Sequence, residues 1–434
     1  MRLIYVVLFG CMLSCTTSQQ ALFAPKSPHE QYADHINNAS LNKTVMGRSW
    51  LNAATRALQQ PLSVTLPYQE AGYFASTETD AQGYRFNARR GDQVVVTLTR
   101  NDSRSVIMFL DLWEMAENTR FRLLASLDTA SNTLQYEVKK DGTFFLRLQP
   151  ELLASVDYKL IIITKPSLNF PVAMTFHPTI GSFWGAGRDA GARSHEGIDI
   201  FGAFRTPVIA AADGLITSVT LNRLGGKVVF MRPYGKDYSL YYAHLDSQLV
   251  EEGQRVRTGD TLGFMGNTGN AKNTPTHLHF GLYASGGAVD PLPFVNQNRP
   301  EPAAIKAGLS RLKQYVRCNK STVLNDATRN DASKISTIQK NTIVQVKAAT
   351  GNWYKVLLPD ETQGYLPAGV VGNIDLIRTI TITNDRALLD KPDSIASMKS
   401  LISKGSKVPV LGMFGSYYYV EMSGERGWMK EEGR

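Results

Sequence analysis

From residue 61 onward the chain is written in short runs where apolar and polar residues alternate, cut by glycines and turn dipeptides. Examples are "GYRFNA", "GDQVVVTLT", "TLQYEVKKDGTFFLRLQP" and "VDYKLIII". Alternation at period two puts one face of an extended segment in a core and the other toward water. Asp141-Gly142 within "KKDGTFF" marks a tight hairpin. These features exclude a helical bundle and predict a mainly β protein. Residues 61–166 read as a β-sandwich. Residues 167–297 form a separate, Gly-rich unit with strands such as "GGKVVFMRP", "YSLYYAHL" and "THLHFGLYA". At 434 residues the chain exceeds one typical core, and three or four domains are expected.

The flanking regions differ in texture. The first residues, "MRLIYVVLFGCMLSCTTSQQ", combine Arg2, an apolar run from Leu3 to Leu13 and small residues, the pattern of a targeting segment. The run is shorter than the roughly 20 residues that span a bilayer. "MLSC" resembles a bacterial lipobox with Cys15 as the lipidated residue, and "LFGC" offers Cys11 as the alternative. Residues 1–15 are therefore expected to be a lipoprotein signal peptide, and 16–60 a tether followed by helix. Ser27-Pro28 suit the Ncap and N1 positions of that helix. His29 and His35 lie among polar residues and are expected at the surface. Residues 298–317, "NRPEPAAIKAGLSRLKQYVR", are expected to form a basic amphipathic linker helix. Cys318 is expected at the helix–loop boundary as a packed small residue; once the chain is cleaved at Cys15 no internal disulfide is possible.

The last 115 or so residues repeat themselves. "KNTIVQVKAATGNWYKVLLPDETQGYLP" is echoed by "KGSKVPVLGMFGSYYYVEMSGERGWMK", with Gly364-Tyr365 matched by Gly427-Trp428. Two small units are expected, at 318–378 and 379–434. Trp353, Tyr354, Tyr417, Tyr418 and Trp428 can either line a groove or fill the cores. The formal charge of +9 is spread along the chain. It suits an anionic setting such as cell wall or phospholipid, and argues against a dedicated nucleic-acid protein.

Five of the seven histidines fall between residues 177 and 279. "SHEGIDI" sets His195 and Asp199 four apart around Gly197. On a straight strand these would stand roughly 13 Å apart, whereas ligands of one zinc ion lie within about 2.0–2.2 Å of it. A shared metal therefore requires a bend at Glu196-Gly197, which glycine permits. His277 and His279 alternate around Leu278, so both rings leave one face of a strand, about 6.6 Å apart at Cα.

"SHEGIDI", "YYAHL" and "THLHF", in that order, resemble the lysostaphin-type zinc endopeptidases, the M23 metallopeptidase family, over roughly residues 178–295. The resemblance implies an antiparallel β peptidase core, with His195, Asp199 and His279 as Zn2+ ligands and His244 and His277 as catalytic histidines. His177 matches no motif position and is assigned to structure. Two imidazoles and a carboxylate would leave the zinc an open position, where it could lower the pKa of water to about 7 and polarise a carbonyl. Glu196 would project away from Asp199 in extended chain and is not assigned as a base. The sandwich resembles the jelly-roll domains that accompany secreted bacterial peptidases, and the repeat resembles bacterial SH3-like modules. Together these resemblances imply an envelope enzyme cutting peptidoglycan peptide cross-links, anchored to the membrane by lipid on Cys15 and facing the periplasm. The alternative is a non-catalytic peptidoglycan-binding scaffold or activator of another hydrolase.

Overall fold

The computed structural model describes residues 26–101, 106–116, 120–188, 193–329 and 331–431. Cys11 and Cys15 lie outside them. The described chain is mainly β. Among the described residues no helix is long and apolar enough to cross a membrane.

Two helices open the described chain, Pro28–Asn38 and Val45–Gln59. Ser27 caps the first as a capping box with Glu30. They pack on the sandwich through Ile36 and Trp50 against Phe109. His29 corrects the expectation of a surface side chain: it is buried, stacked on Trp50 at 4.7 Å and hydrogen-bonded to Gln149 at 2.7 Å. The helix turns it inward, and burial, with the Arg147 guanidinium, pushes its pKa down to about 3. His35 is exposed.

The sandwich closes one core between two sheets. One sheet has five strands. The other does not end at the domain edge. Its strand Tyr68–Phe74 pairs with Ile343–Thr350 of the first C-terminal unit, Gly72 opposite Ala348. A Cβ on Gly72 would lie 2.6 Å from the Tyr158 hydroxyl and 3.0 Å from the Ala348 methyl, so the join requires glycine.

A fully buried ion pair fills this joint. Lys355 lies 2.8 Å from Glu70, and the Tyr68, Tyr84 and Tyr158 hydroxyls also donate to that carboxylate. Burial alone would raise the Glu70 carboxyl; Lys355 and the hydroxyls outweigh it and hold it below the ordinary range.

The repeat is one strand order used twice. Ile343–Thr350, Trp353–Leu357 and Gln363–Pro367 form a meander matched by Lys407–Phe414, Tyr417–Met422 and Glu425–Lys430, with a register shift at the same place in each. The second unit packs on the first through Leu411, Tyr417, Tyr419 and Trp428 against Ile343. Tyr354 lies in the core of the first unit and Tyr418 in that of the second. Four of the five aromatics are therefore packed, and Trp353 is half-buried.

The expected helix over 298–317 does not form. The segment is irregular, with a single 3-10 turn at Leu309–Arg311, and enters the strand Tyr315–Cys318. The segment instead lies along the first C-terminal unit: the Lys306 and Ala307 N–H groups donate to the Gly351 carbonyl, the Tyr354 hydroxyl donates to that of Gly308, and Ala307 is buried in that unit's core. Cys318 is consequently a buried strand residue, and burial pushes its thiol up to about 12.

The Gly-rich unit is a ten-stranded sheet. Thr179–Ser182, Ile198–Phe201, His277–Ala284 and Tyr238–Gln248 lie side by side in it. Leu278, Phe280, Ile198 and Ile200 face the apolar core. Arg299 reaches back to Asp92 of the sandwich at 2.8 Å, and Lys236 pairs with Glu137.

Candidate metal centre

Three neighbouring strands carry the candidate residues. Asp199 is directly opposite His279, and His279 is opposite Ala243, next to His244. In an antiparallel pair, opposite residues share a face with Cβ atoms about 4.5–5.5 Å apart. Sheet register alone thus gathers Asp199, His279 and His277. His244, one residue past Ala243, would face the other side of a regular strand; its left-handed backbone (φ 62°), at a register shift with the neighbouring strand, turns its ring to this face. His195 joins from outside the sheet: it precedes the strand, which begins at Ile198, and the chain turns through Glu196-Gly197. A Cβ at Gly197 would stand 2.7 Å from the His279 ring and 2.6 Å from the Phe280 carbonyl oxygen. Glycine is needed there for close approach as well as for the bend.

His195 Nε2, Asp199 Oδ1 and His279 Nδ1 form a triangle with sides of 2.9, 3.0 and 3.0 Å. His195 and Asp199 are buried. His195 Nδ1 sits 2.9 Å from the Phe183 carbonyl, which can only accept, so Nδ1 carries the proton. In the neutral ring Nε2 is then a bare acceptor facing a carboxylate oxygen. Such acceptors converge favourably only around a proton or a cation. Edges of about 3 Å also suit donors placed about 2.0–2.2 Å from one ion. The donor set fits a metal such as zinc, and these three residues are the group able to hold one among the described residues. Burial raises the Asp199 carboxyl, but with protons on the facing nitrogens the two histidines outweigh burial and hold it far below the ordinary range.

His244 and His277 lie beside this triangle. Their rings are 4.9 Å apart, and His244 is 6.0 Å from His279. His244 Nδ1 donates to the Thr268 carbonyl at 2.8 Å, and His277 Nδ1 to that of Pro275 at 2.8 Å. Each ring therefore keeps Nε2 free of its backbone anchor. Burial, then the neighbouring His277, pushes the His244 pKa down to about 4, so its ring is neutral and its Nε2 unprotonated at neutral pH. His177 is exposed, on a left-handed turn. Glu196 is exposed as well.

Sequence reasoning missed Arg188 and Ser182. The Arg188 guanidinium donates to Asp199 Oδ2 and, at 2.8 Å, to Ser182 Oγ. Ser182 is opposite Asp199 in the sheet. No periodicity links these residues to "SHEGIDI", so only the fold reveals them.

Residues 193–291 match Peptidase family M23. This part of the chain is an M23 peptidase domain. Over 101 residues the chain is 41% identical to an uncharacterized metalloprotease of Haemophilus influenzae, covering 23% of this chain and 21% of that protein. It is 33% identical over 136 residues to the L-Ala--D-Glu endopeptidase of Bacillus subtilis, covering 29% and 41%. It is 35% identical over 103 residues to the murein hydrolase activator NlpD of Escherichia coli, covering 24% and 26%. The chain spans less than half the length of each of these relatives.

Proposed function

We propose that the protein is a zinc-dependent endopeptidase that hydrolyses peptide cross-links of peptidoglycan. The observation that carries this reading is the convergence of His195 Nε2, Asp199 Oδ1 and His279 Nδ1 within 3.0 Å, beside two further imidazoles. The match of residues 193–291 to Peptidase family M23 and the likeness to the L-Ala--D-Glu endopeptidase of Bacillus subtilis support it.

In this reading His195, Asp199 and His279 hold the ion. A bound zinc supplies Lewis acidity toward the scissile carbonyl and the attacking water. His244 and His277, with Nδ1 tied to carbonyls, present Nε2 toward the reacting atoms. One, neutral, accepts a proton from water at Nε2 and can pass that proton on to the leaving amine, while the other, when protonated at Nε2, donates to the developing oxyanion. Lipid on Cys15 would hold the enzyme at the outer membrane, facing the periplasm, and the two C-terminal units are read as SH3-like modules that bind the wall.

The test is digestion of purified sacculi by the full chain, with and without a chelator, reading products by mass. Release of peptides split within stems or cross-links, abolished by chelation and restored by zinc, is the expected result. A chain that binds sacculi, takes up no zinc and releases nothing would instead be a scaffold or activator, the activity named for the Escherichia coli relative.

A further inference from the structure

We propose that Arg188 is a positioning residue for the metal centre, orienting Asp199 and, through Ser182, His195. This inference rests on the reading of His195, Asp199 and His279 as ligands. It concerns how the protein prepares them.

The two oxygens of Asp199 have separate partners. Oδ1 faces His195 Nε2 and His279 Nδ1. Oδ2 accepts from Arg188. The same guanidinium nitrogen bonds Ser182 Oγ at 2.8 Å, and that hydroxyl lies 3.4 Å from His195 Nδ1. Arg188 therefore touches one ligand directly and reaches a second through a single hydroxyl.

Its own position is fixed by backbone. Gly187–Arg188 pairs with Arg193–Ser194 as a short antiparallel ribbon. The Gly185 N–H donates to the His195 carbonyl and the His195 N–H to the Ala186 carbonyl, each at 2.9 Å. The ribbon and the ligand loop are thereby tied together.

With Oδ2 occupied, the carboxylate offers one oxygen to an ion and cannot swing to chelate with both. A charge-assisted bond to guanidinium is directional enough to enforce this. Partners of this kind behind a ligand typically contribute about 10–100-fold in metal affinity. A fixed cation beside a divalent ion also repels it, which acts in the opposite direction. The two effects predict opposite signs on removing Arg188, and positioning predicts that zinc binding weakens.

The experiment measures zinc affinity of the purified full chain by competition with a chromogenic chelator, and the absorption spectrum of the cobalt-substituted protein. Arg188→Met is expected to bind zinc about 10–100-fold more weakly and to alter the cobalt spectrum. Arg188→Lys, which keeps a charged donor, is expected to recover most of the affinity. Arg188→Ala gives the same readout if the Met variant does not fold. Zinc bound as tightly as in wild type, or more tightly, with an unchanged cobalt spectrum would overturn the proposal and leave the ligand reading standing. A wild-type chain that takes up no zinc would overturn both.

Discussion

Two buried charged clusters in this molecule use similar materials to opposite ends. At the joint between sandwich and first C-terminal unit, Glu70 meets Lys355 and three tyrosine hydroxyls. Every partner of that carboxylate is a donor, so the cluster is complete. In the peptidase domain Asp199 meets Arg188 on one oxygen, but on the other it faces His195 Nε2, an acceptor in the neutral ring, and His279 Nδ1. That cluster has more acceptors than donors and suits a cation. A closed set of donors and acceptors holds domains together, whereas converging acceptors make a site. The repeat shows the same logic. Lys355 in the first unit and Tyr419 in the second occupy equivalent strand positions, opposite Tyr365 and Trp428. One answers a buried glutamate, the other an apolar neighbour.

The sharpest way to break the contrast is at the converging acceptors. His195→Ala is expected to abolish both zinc stoichiometry and hydrolysis of sacculi while the domain still folds; normal turnover in that variant would end the assignment. Gly197→Ala comes next. Its methyl displaces the His279 ring, and a misplacement of about 1 Å costs on the order of 10²-fold in turnover. Turnover and zinc titration of the purified variant measure this.

At the closed cluster the effect is on stability. Lys355→Met strands a buried carboxylate and is expected to cost about 3–5 kcal/mol in denaturant unfolding. The double variant Glu70→Leu/Lys355→Met should recover much of that. Zinc binding should be unaffected in both, because the joint lies in another domain.

A smaller effect concerns His29. Its pKa is about 3 in the folded chain, against an ordinary 6.5. Between these values the unfolded chain binds the extra proton. The stability His29 contributes is therefore complete above pH 6.5 and lost as pH falls toward 3, by at most about 1.4 kcal/mol per pH unit. Unfolding midpoints at pH 7 and pH 5, compared with His29→Gln, isolate it, since the variant should lose less on acidification. Smallest of all, Glu196→Gln should retain most activity in a sacculus assay, because that side chain is exposed and belongs to neither cluster.

Much of the candidate site was legible before the fold was known, because strand geometry is regular. Two histidines two residues apart on a strand must share a face, and a histidine four residues from an aspartate needs a bend that Gly197 supplies. His29 was misread because a ring among polar neighbours in sequence can still lie on the inward stripe of a helix. The linker was misread because its backbone groups bond to the first C-terminal unit, at the Gly351 carbonyl and the Tyr354 hydroxyl, contacts that helical spacing does not reveal. Arg188 was invisible because contacts across a short ribbon leave no periodic trace.

By itself the sequence determined the β character, the repeat and the donor types, since alternation, turn residues and side-chain chemistry are local properties. Tertiary structure decided which acceptors face one another, which ring nitrogens carry protons and which sheets fuse. Register between strands distant in sequence, and carbonyls such as those of Phe183, Thr268 and Pro275, set those outcomes. They depend on distances that no single segment encodes.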